Sequence, residues 1–407
     1  MARRSGLVVP CVALGLAGCG GLTVLPPTTT PVASTTRPSG PTPSSTPPTT
    51  SGPTEGVEAV AFFDANRGYG LFVEQNGTSC ALALASTTDG GMTFSKRVTV
   101  TSPGPASTWC YSSAISFDPS GDGFVFDPGL FVTHDGGTTW TDTQPSGPVL
   151  SVIPLGRSAW KLDASCASTD PATLCDLHRD VSSDGGRTWA TMPGALPQAP
   201  VMNVMANTWL LRTSVSSADI LIPSAASGTA PTRLFATSDG GRSWQERPSP
   251  CPLGGTLVSL LSEAPNGTLW FAWGGQPGAG NQLKTVVRSQ DGGQTWQGGQ
   301  CASGNSSSYP QALLSNGLIG GYLGGLVATS ATTALIDGGR NTVLLTTDGG
   351  STWSIPEPRI GGTDNGSRGL FFANSQDGWV VSQQYGSAGS LWRTMDGGQS
   401  WSQVWPS

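Results

Sequence analysis

The sequence predicts an all-β fold, a seven-bladed β-propeller of four-stranded blades over residues 57–407. Three observations predict it. An octapeptide of the form Ser/Thr-x-Asp-Gly-Gly-x-Ser/Thr-Trp/Phe occurs seven times, at intervals of 46 to 57 residues. Between copies run short apolar stretches separated by turn residues, enough for four strands per unit. The composition, with 57 Gly, 14 Trp and only 11% charged residues, suits short buried strands joined by tight turns. A repeat of about fifty residues marks units that bury their faces only against neighbours, and a closed ring is the all-β way to do so.

The chain opens on a segment of another kind. Arg3 and Arg4 precede an apolar run from Leu7 to Leu16, and small residues lead to Cys19. This reads as a secretory signal peptide over 1–18. A run of roughly ten apolar residues is too short to span a bilayer, which takes about 20. The tetrapeptide Leu16-Ala17-Gly18-Cys19 resembles the bacterial lipobox. That resemblance implies that Cys19 is acylated (palmitate among its chains) and becomes the mature N-terminus, a lipoprotein held at the cell membrane facing outward. Two acyl chains suffice for stable anchoring. An ordinary signal peptide with a cysteine there by chance is the alternative. Residues 19–56 are rich in Pro, Thr and Ser without apolar periodicity, so they are expected to form an extended tether. At ~3.1 Å per residue, about 30 such residues reach on the order of 90 Å.

The octapeptides carry Asp89, Asp135, Asp184, Asp239, Asp291, Asp348 and Asp396. Asp-Gly between apolar runs is a hairpin signal, because Gly accepts positive φ. The carboxylate and the leading hydroxyl accept hydrogen bonds from turn amides, and the closing Trp (Phe94 in the first copy) is expected to fold inward. The pattern resembles the Asp-box, or bacterial neuraminidase repeat. The resemblance implies that each octapeptide joins the third and fourth strands of a blade and that the seven aspartates are structural. Aromatic anchors of the second strands are expected at Tyr69, Phe124, Trp160, Trp209, Trp270 and Trp379. In the sixth unit Thr332–Ile336 takes that place. The chain starts at a first strand and ends past a fourth, so the ring is expected to close without a shared strand.

Six cysteines remain after Cys11 and Cys19: Cys80, Cys110, Cys166, Cys175, Cys251 and Cys301. An even number in an exported chain implies disulfides. Blade geometry puts all six on the face opposite the octapeptides, and pairing neighbours gives Cys80–Cys110, Cys166–Cys175 and Cys251–Cys301. A metal site is the alternative, without the short Cys-x₂-Cys spacing. The same face carries the longest irregular loops, where ligand sites favour rigid scaffolds. Candidate binding residues there are Trp109 and Tyr111, Tyr309, and Arg359 and Arg368 in the loop 355–368 with Glu357. Packing of the loops themselves is the competing reading for each.

Function classes narrow further. A net charge of −6, with Lys only at Lys96, Lys161 and Lys284, argues against a nucleic-acid partner. No Gly-x-Ser-x-Gly, His-Glu-x-x-His or phosphate loop occurs. His134 and His178 stand without an evident partner constellation, and the scattered Asp118, Asp122, Asp127, Asp163, Asp176 and Asp180 read as turn residues. No catalytic residue, metal or cofactor is therefore expected. Sialidase chemistry needs an arginine cluster and a Tyr–Glu pair, whereas Arg67 is the single arginine of residues 57–80. The chain is similar overall to the photosystem II stability/assembly factor-like group, which implies a lipid-anchored binding scaffold. A monomeric scaffold that binds a protein or glycan on its disulfide-bearing face is the expectation, and a sialidase-like, glycan-processing hydrolase its rival.

Overall fold

Each octapeptide ends one antiparallel sheet, and seven sheets follow in chain order. The structure, a computed structural model, describes residues 54–76, 78–101, 104–105, 113–127, 129–170, 173–194, 196–201, 208–222, 231–251, 258–278, 281–298, 321–338, 343–360, 367–382 and 389–405. Blade 1 consists of Thr54–Phe62, Gly68–Asn76, Ser79–Thr87 and a fourth strand in two pieces, Val98–Thr99 and Gly104–Pro105. Blade 2 runs Ala114–Phe117, Gly123–Phe126, Leu130–Thr133 and Thr141–Asp142. Blade 3 runs Val149–Leu155, Ser158–Cys166, Leu174–Ser182 and Ala190–Thr191, extended by Ala199–Pro200. Blade 4 runs Trp209–Arg212, Ala218–Ile222, Arg233–Thr237 and Gln245–Arg247. Blade 5 runs Val258–Glu263, Leu269–Gly278, Asn281–Ser289 and Gln297–Gly298. Blade 6 has Gly325–Ala328, Ala334–Asp337 and Val343–Thr346, its fourth strand reduced to a single bridge between Leu345 and Ser354. Blade 7 runs Ser367–Phe372, Gly378–Ser382, Ser390–Thr394 and Ser402–Trp405.

The first strands meet their neighbours in cyclic order from blade 1 to blade 7, and that of blade 1 packs on blade 7. This closes a seven-bladed β-propeller. No strand is shared between the first and last blades. Among the described residues, closure rests on packing, on a backbone hydrogen bond from Val57 N to Gly389 O at 3.2 Å and on one from Trp379 Nε1 to Gly90 O at 2.9 Å.

The core lies between blades rather than within any one of them. Seven apolar clusters fill the seven seams. Alternation of side chains along each strand causes this: Ala218, Ile220 and Ile222 face blade 3, while Leu221 faces blade 5. Apolar faces on both sides of every sheet leave no blade able to bury its surface alone.

One register is common to all blades. The hydroxyl residue that opens each octapeptide pairs with a small or apolar residue early in the second strand, as in Gly68–Thr87, Ala159–Ser182, Ala218–Thr237 and Gly378–Thr394. The next residue along the second strand lies at a seam. It is Tyr69, Phe124, Trp160, Trp270 or Trp379 in five blades, and Leu335 in blade 6. Blade 4 departs from the expectation. Trp209 starts the first strand and is 42% exposed, and the seam position belongs to Asp219, which is 8% exposed. An aromatic followed by Leu-Leu looks like a buried second strand, but the turn 213–217 comes after it and places it one strand earlier.

Candidate functional site

The octapeptide turns form one face of the molecule. In the second turn, Asp135 Oδ1 accepts from Thr139 N at 2.9 Å and from Thr133 Oγ1 at 2.8 Å, while Oδ2 accepts from Thr139 Oγ1 at 2.7 Å. Thr133 Oγ1 in turn accepts from Gly137 N at 2.9 Å. The pattern repeats at Asp89, Asp184, Asp239, Asp291, Asp348 and Asp396. Hydrogen bonds from the hydroxyl and amide of the following Ser/Thr hold Asp135, Asp239, Asp291 and Asp348 down at about 2. Asp184 is lowered for the same reason. At Asp89 and Asp396 partial burial pulls upward, and the turn's hydrogen bonds still win. Each carboxylate is thus engaged by its own turn.

Gly137, at φ +86°, shows why the second glycine of the turn is needed: a Cβ there would collide with Leu84 of the preceding blade. The closing aromatics pack across the same seams, Trp189 on Phe124 at 6.2 Å and Trp244 on Trp160 at 6.3 Å between centroids. Most of them stay half-buried; Trp401 is fully enclosed.

On the opposite face, Cys166 and Cys175 end the central hairpin of blade 3. They are cross-strand partners with Cα atoms 4.3 Å apart, joined by a disulfide. Cys80 and Cys251 are disulfide-bonded as well. Cys110 and Cys301 lie outside the described residues, as do Cys19, Trp109, Tyr111 and Tyr309. Arg359 is described: its Nε lies 3.5 Å from Glu357 Oε1, and its backbone N–H donates to Glu357 Oε2 at 3.2 Å. Both side chains are exposed, so this pair closes a local turn and contributes little stability. Arg368 is corrected from loop to strand. It sits between Ser367 and Gly369, where the register of blade 7's first strand shifts. An apolar run starting at Gly369 hid the two strand residues before it. Of the predicted binding residues Arg359 alone has a described side chain, so their arrangement lies outside the described residues.

Sequence reasoning missed a charged cluster in blade 3. Asp163, Asp176 and Asp180 lie on strands rather than in turns. Asp163 pairs across the sheet with His178, and Lys161 with Asp180. Lys161 Nζ donates to Asp163 Oδ2 at 3.2 Å and lies 2.9 Å from Asp180 Oδ2. Asp163 Oδ1 is buried without a hydrogen bond, and burial raises its carboxyl above the usual range despite Lys161. Asp176 accepts from Gln198 Nε2 at 2.8 Å. The signal was present as alternation: Lys161-x-Asp163 opposite Asp176-x-His178-x-Asp180 puts charges on one face of two paired strands. His134 also has a partner, Nδ1 standing 2.8 Å from Asp122 Oδ1, which Arg187 of the next blade approaches at 3.8 Å.

Among the described residues no group of three or more His, Cys, Asp or Glu is placed to hold a metal ion, and no helix is long and apolar enough to cross a membrane.

No family model matches the chain, and no curated protein sequence matches it. Solved structures do. YCF48 bound to a D1 peptide aligns with a TM-score of 0.51 and 18% identity, over 84% of this chain and 94% of that one. YCF48 from Cyanidioschyzon merolae gives 0.51 and 14%, over 84% and 96%. An ulvan lyase of polysaccharide lyase family PL25, bound to a sugar, gives 0.52 and 13%, over 87% and 96%. At these identities the likeness shows the shared propeller fold.

Proposed function

We propose that the chain is an outward-facing lipoprotein, anchored through Cys19 on a tether over residues 19–56, whose propeller is a scaffold that binds a protein partner on its disulfide-bearing face. The observation that carries this reading is the Cys166–Cys175 cross-link at the tip of blade 3, on the rim that also holds disulfide-bonded Cys80 and Cys251. A cross-linked rim loses little conformational freedom when a partner docks, so more of the contact energy appears as affinity. Leu174, beside the bridge, is 51% exposed and offers apolar contact there. The octapeptide signature resembles the Asp-box, and a YCF48 structure with a D1 peptide bound gives a precedent for peptide recognition on such a propeller.

The direct test is photo-crosslinking in intact cells of the source organism. A photoreactive residue at Leu174 is expected to yield a discrete protein adduct, and the same residue at exposed Met395 on the octapeptide face none. Equal labelling at both, or none at Leu174, contradicts the reading. Anchoring is checked separately: Cys19→Ser is expected to move the chain from the membrane to the soluble fraction.

A second reading, a glycan-processing enzyme, is favoured by the Lys161–Asp163–His178–Asp180 cluster, since a carboxyl raised by burial beside a lysine suits proton transfer. The neighbouring ulvan lyase acts on a polysaccharide. Turnover of a fluorogenic sialoside or an acidic polysaccharide that Asp163→Asn abolishes would establish it.

A further inference from the structure

The seams are filled differently, and one of them is left short. In the seam between blades 5 and 6, Arg288 lies over Trp270 with its guanidinium carbon 5.9 Å from the ring centroid. That guanidinium occupies the space beside Gly349 of the next octapeptide and donates to Ala331 O at 2.6 Å. Between blades 7 and 1, Arg393 lies over Trp379 at 5.4 Å, fills the space beside Gly90, and pairs with Asp377 at 3.1 Å. Both arginines are the cross-strand partners of the aromatic they cover. The chain therefore uses a guanidinium as a plug at two seams of the octapeptide face.

Between blades 4 and 5 both halves of this arrangement are replaced. Asp219 stands where the tryptophan would be, and its cross-strand partner is Ala236 where the arginine would be. The corresponding glycine, Gly292, is open: a Cβ there meets no atom within 4 Å. Gly240, between blades 3 and 4, is equally open, but there Arg212 covers Trp160 at 4.8 Å. Across the 4/5 seam the last residue of blade 5's first strand is Glu263, at the position where Phe62 stacks on Trp379 at 3.7 Å in the 7/1 seam. Among the described residues the Asp219 carboxyl has no hydrogen bond, although it is 8% exposed, while the Glu263 carboxyl accepts one from Thr213. The other charged group turned this way is Arg247, the cross-strand partner of Leu234. Its Nη1 is bonded to Gln245 at 3.2 Å rather than to either carboxyl, and its Nε is buried without a partner. Asp291 of the adjoining turn is engaged by Ser289 and Thr295.

We propose that this notch, formed by Asp219, Ala236 and Glu263 beside Gly292, binds the guanidinium group of an arginine side chain presented by a partner protein. It lies at the place that an arginine of the chain itself fills in the 5/6 and 7/1 seams, and its two carboxyls supply planar, forked acceptors that a guanidinium matches better than an ammonium. Burial, with Glu263 adding to it, pushes Asp219 up to about 7, the expected condition of a carboxyl awaiting a counter-ion. The site lies on the octapeptide face and is independent of the scaffold reading for the opposite rim.

Titration of the full mature chain with N-acetyl-arginine amide, followed by saturation-transfer NMR, tests it. Wild type is expected to bind saturably, more weakly as pH falls from 8 to 6 and Asp219 takes up its proton. N-acetyl-citrulline amide, the neutral isostere, is expected to bind about tenfold more weakly or worse. Asp219→Asn is expected to lose about tenfold in affinity. Ala236→Arg provides its own plug, so it is expected to fold, to melt no lower than wild type, and to lose binding altogether. Absence of saturable binding to wild type, undiminished binding to Ala236→Arg, or failure of Ala236→Arg to fold overturns the proposal.

Discussion

Asp135 and Asp219 are both aspartates beside an octapeptide turn, and their surroundings drive them in opposite directions. Asp135 collects hydrogen bonds from Thr139 and Thr133 and is held down at about 2, below the ordinary 3.8. Its contribution to stability is full above roughly pH 4 and is lost as pH falls through about 2. Asp219 is raised to about 7 by burial and by Glu263. The folded state then holds a proton that the unfolded state releases, so stability declines as pH rises from about 4 to about 7. Melting temperature measured from pH 2 to 8 is expected to rise, pass a maximum near pH 4 to 5, and fall. Burial pushes Asp127 up to about 7 as well, so Asp219→Asn is expected to make the falling limb shallower without touching the rising one, and Asp135→Ala to lower the curve above pH 4. A parallel fall in Asp219→Asn would contradict this assignment. Asp219 was not legible in the sequence, because nothing in the string Ala-Asp-Ile-Leu-Ile says that the acid faces inward; Trp209, ten residues earlier, offered a stronger and misleading signal. The octapeptide aspartates were legible, since the Ser/Thr, Asp, Gly and Ser/Thr needed to engage each carboxylate sit within seven residues.

At the scale of elements, the blade 3 hairpin is cross-linked at its tip on the disulfide-bearing face. A disulfide over a sequence separation of 9 removes loop entropy from the unfolded chain, about 2–3 kcal/mol by chain-entropy arguments. Replacing both Cys166 and Cys175 by Ser is expected to cost that amount in denaturant unfolding and to speed amide exchange first at Leu174 and the residue after it. An unchanged midpoint would show that the hairpin is held by its ladder alone. The same element explains why site prediction from sequence stopped short. Hairpin ends and cysteines can be placed from turn spacing, but the charges on blade 3 gain meaning only once register sets Asp163 opposite His178. Arg368 failed for the same reason, since a bulge lets a strand begin where the apolar pattern has not yet started.

For the whole molecule, the seven turns fixed the number of blades and their order, because each marks a third-to-fourth strand junction and the spacing leaves room for one sheet. How the ring is sealed depends on contacts between residues hundreds of positions apart. Trp379 stacks on Phe62 at 3.7 Å, and its Nε1 donates to Gly90 O at 2.9 Å, so a single buried ring joins the last blade to both the first strand and the octapeptide turn of blade 1. Removing it leaves a cavity at the closure, worth about 3–5 kcal/mol for a buried tryptophan. Since every blade buries its faces only against its neighbours, loss at one seam should be felt by all. Hydrogen exchange of Trp379→Ala, followed blade by blade, tests this interdependence most directly. Faster exchange in the central strands of all seven blades is the predicted result, and acceleration confined to blades 7 and 1 would contradict a ring that stands or falls as one.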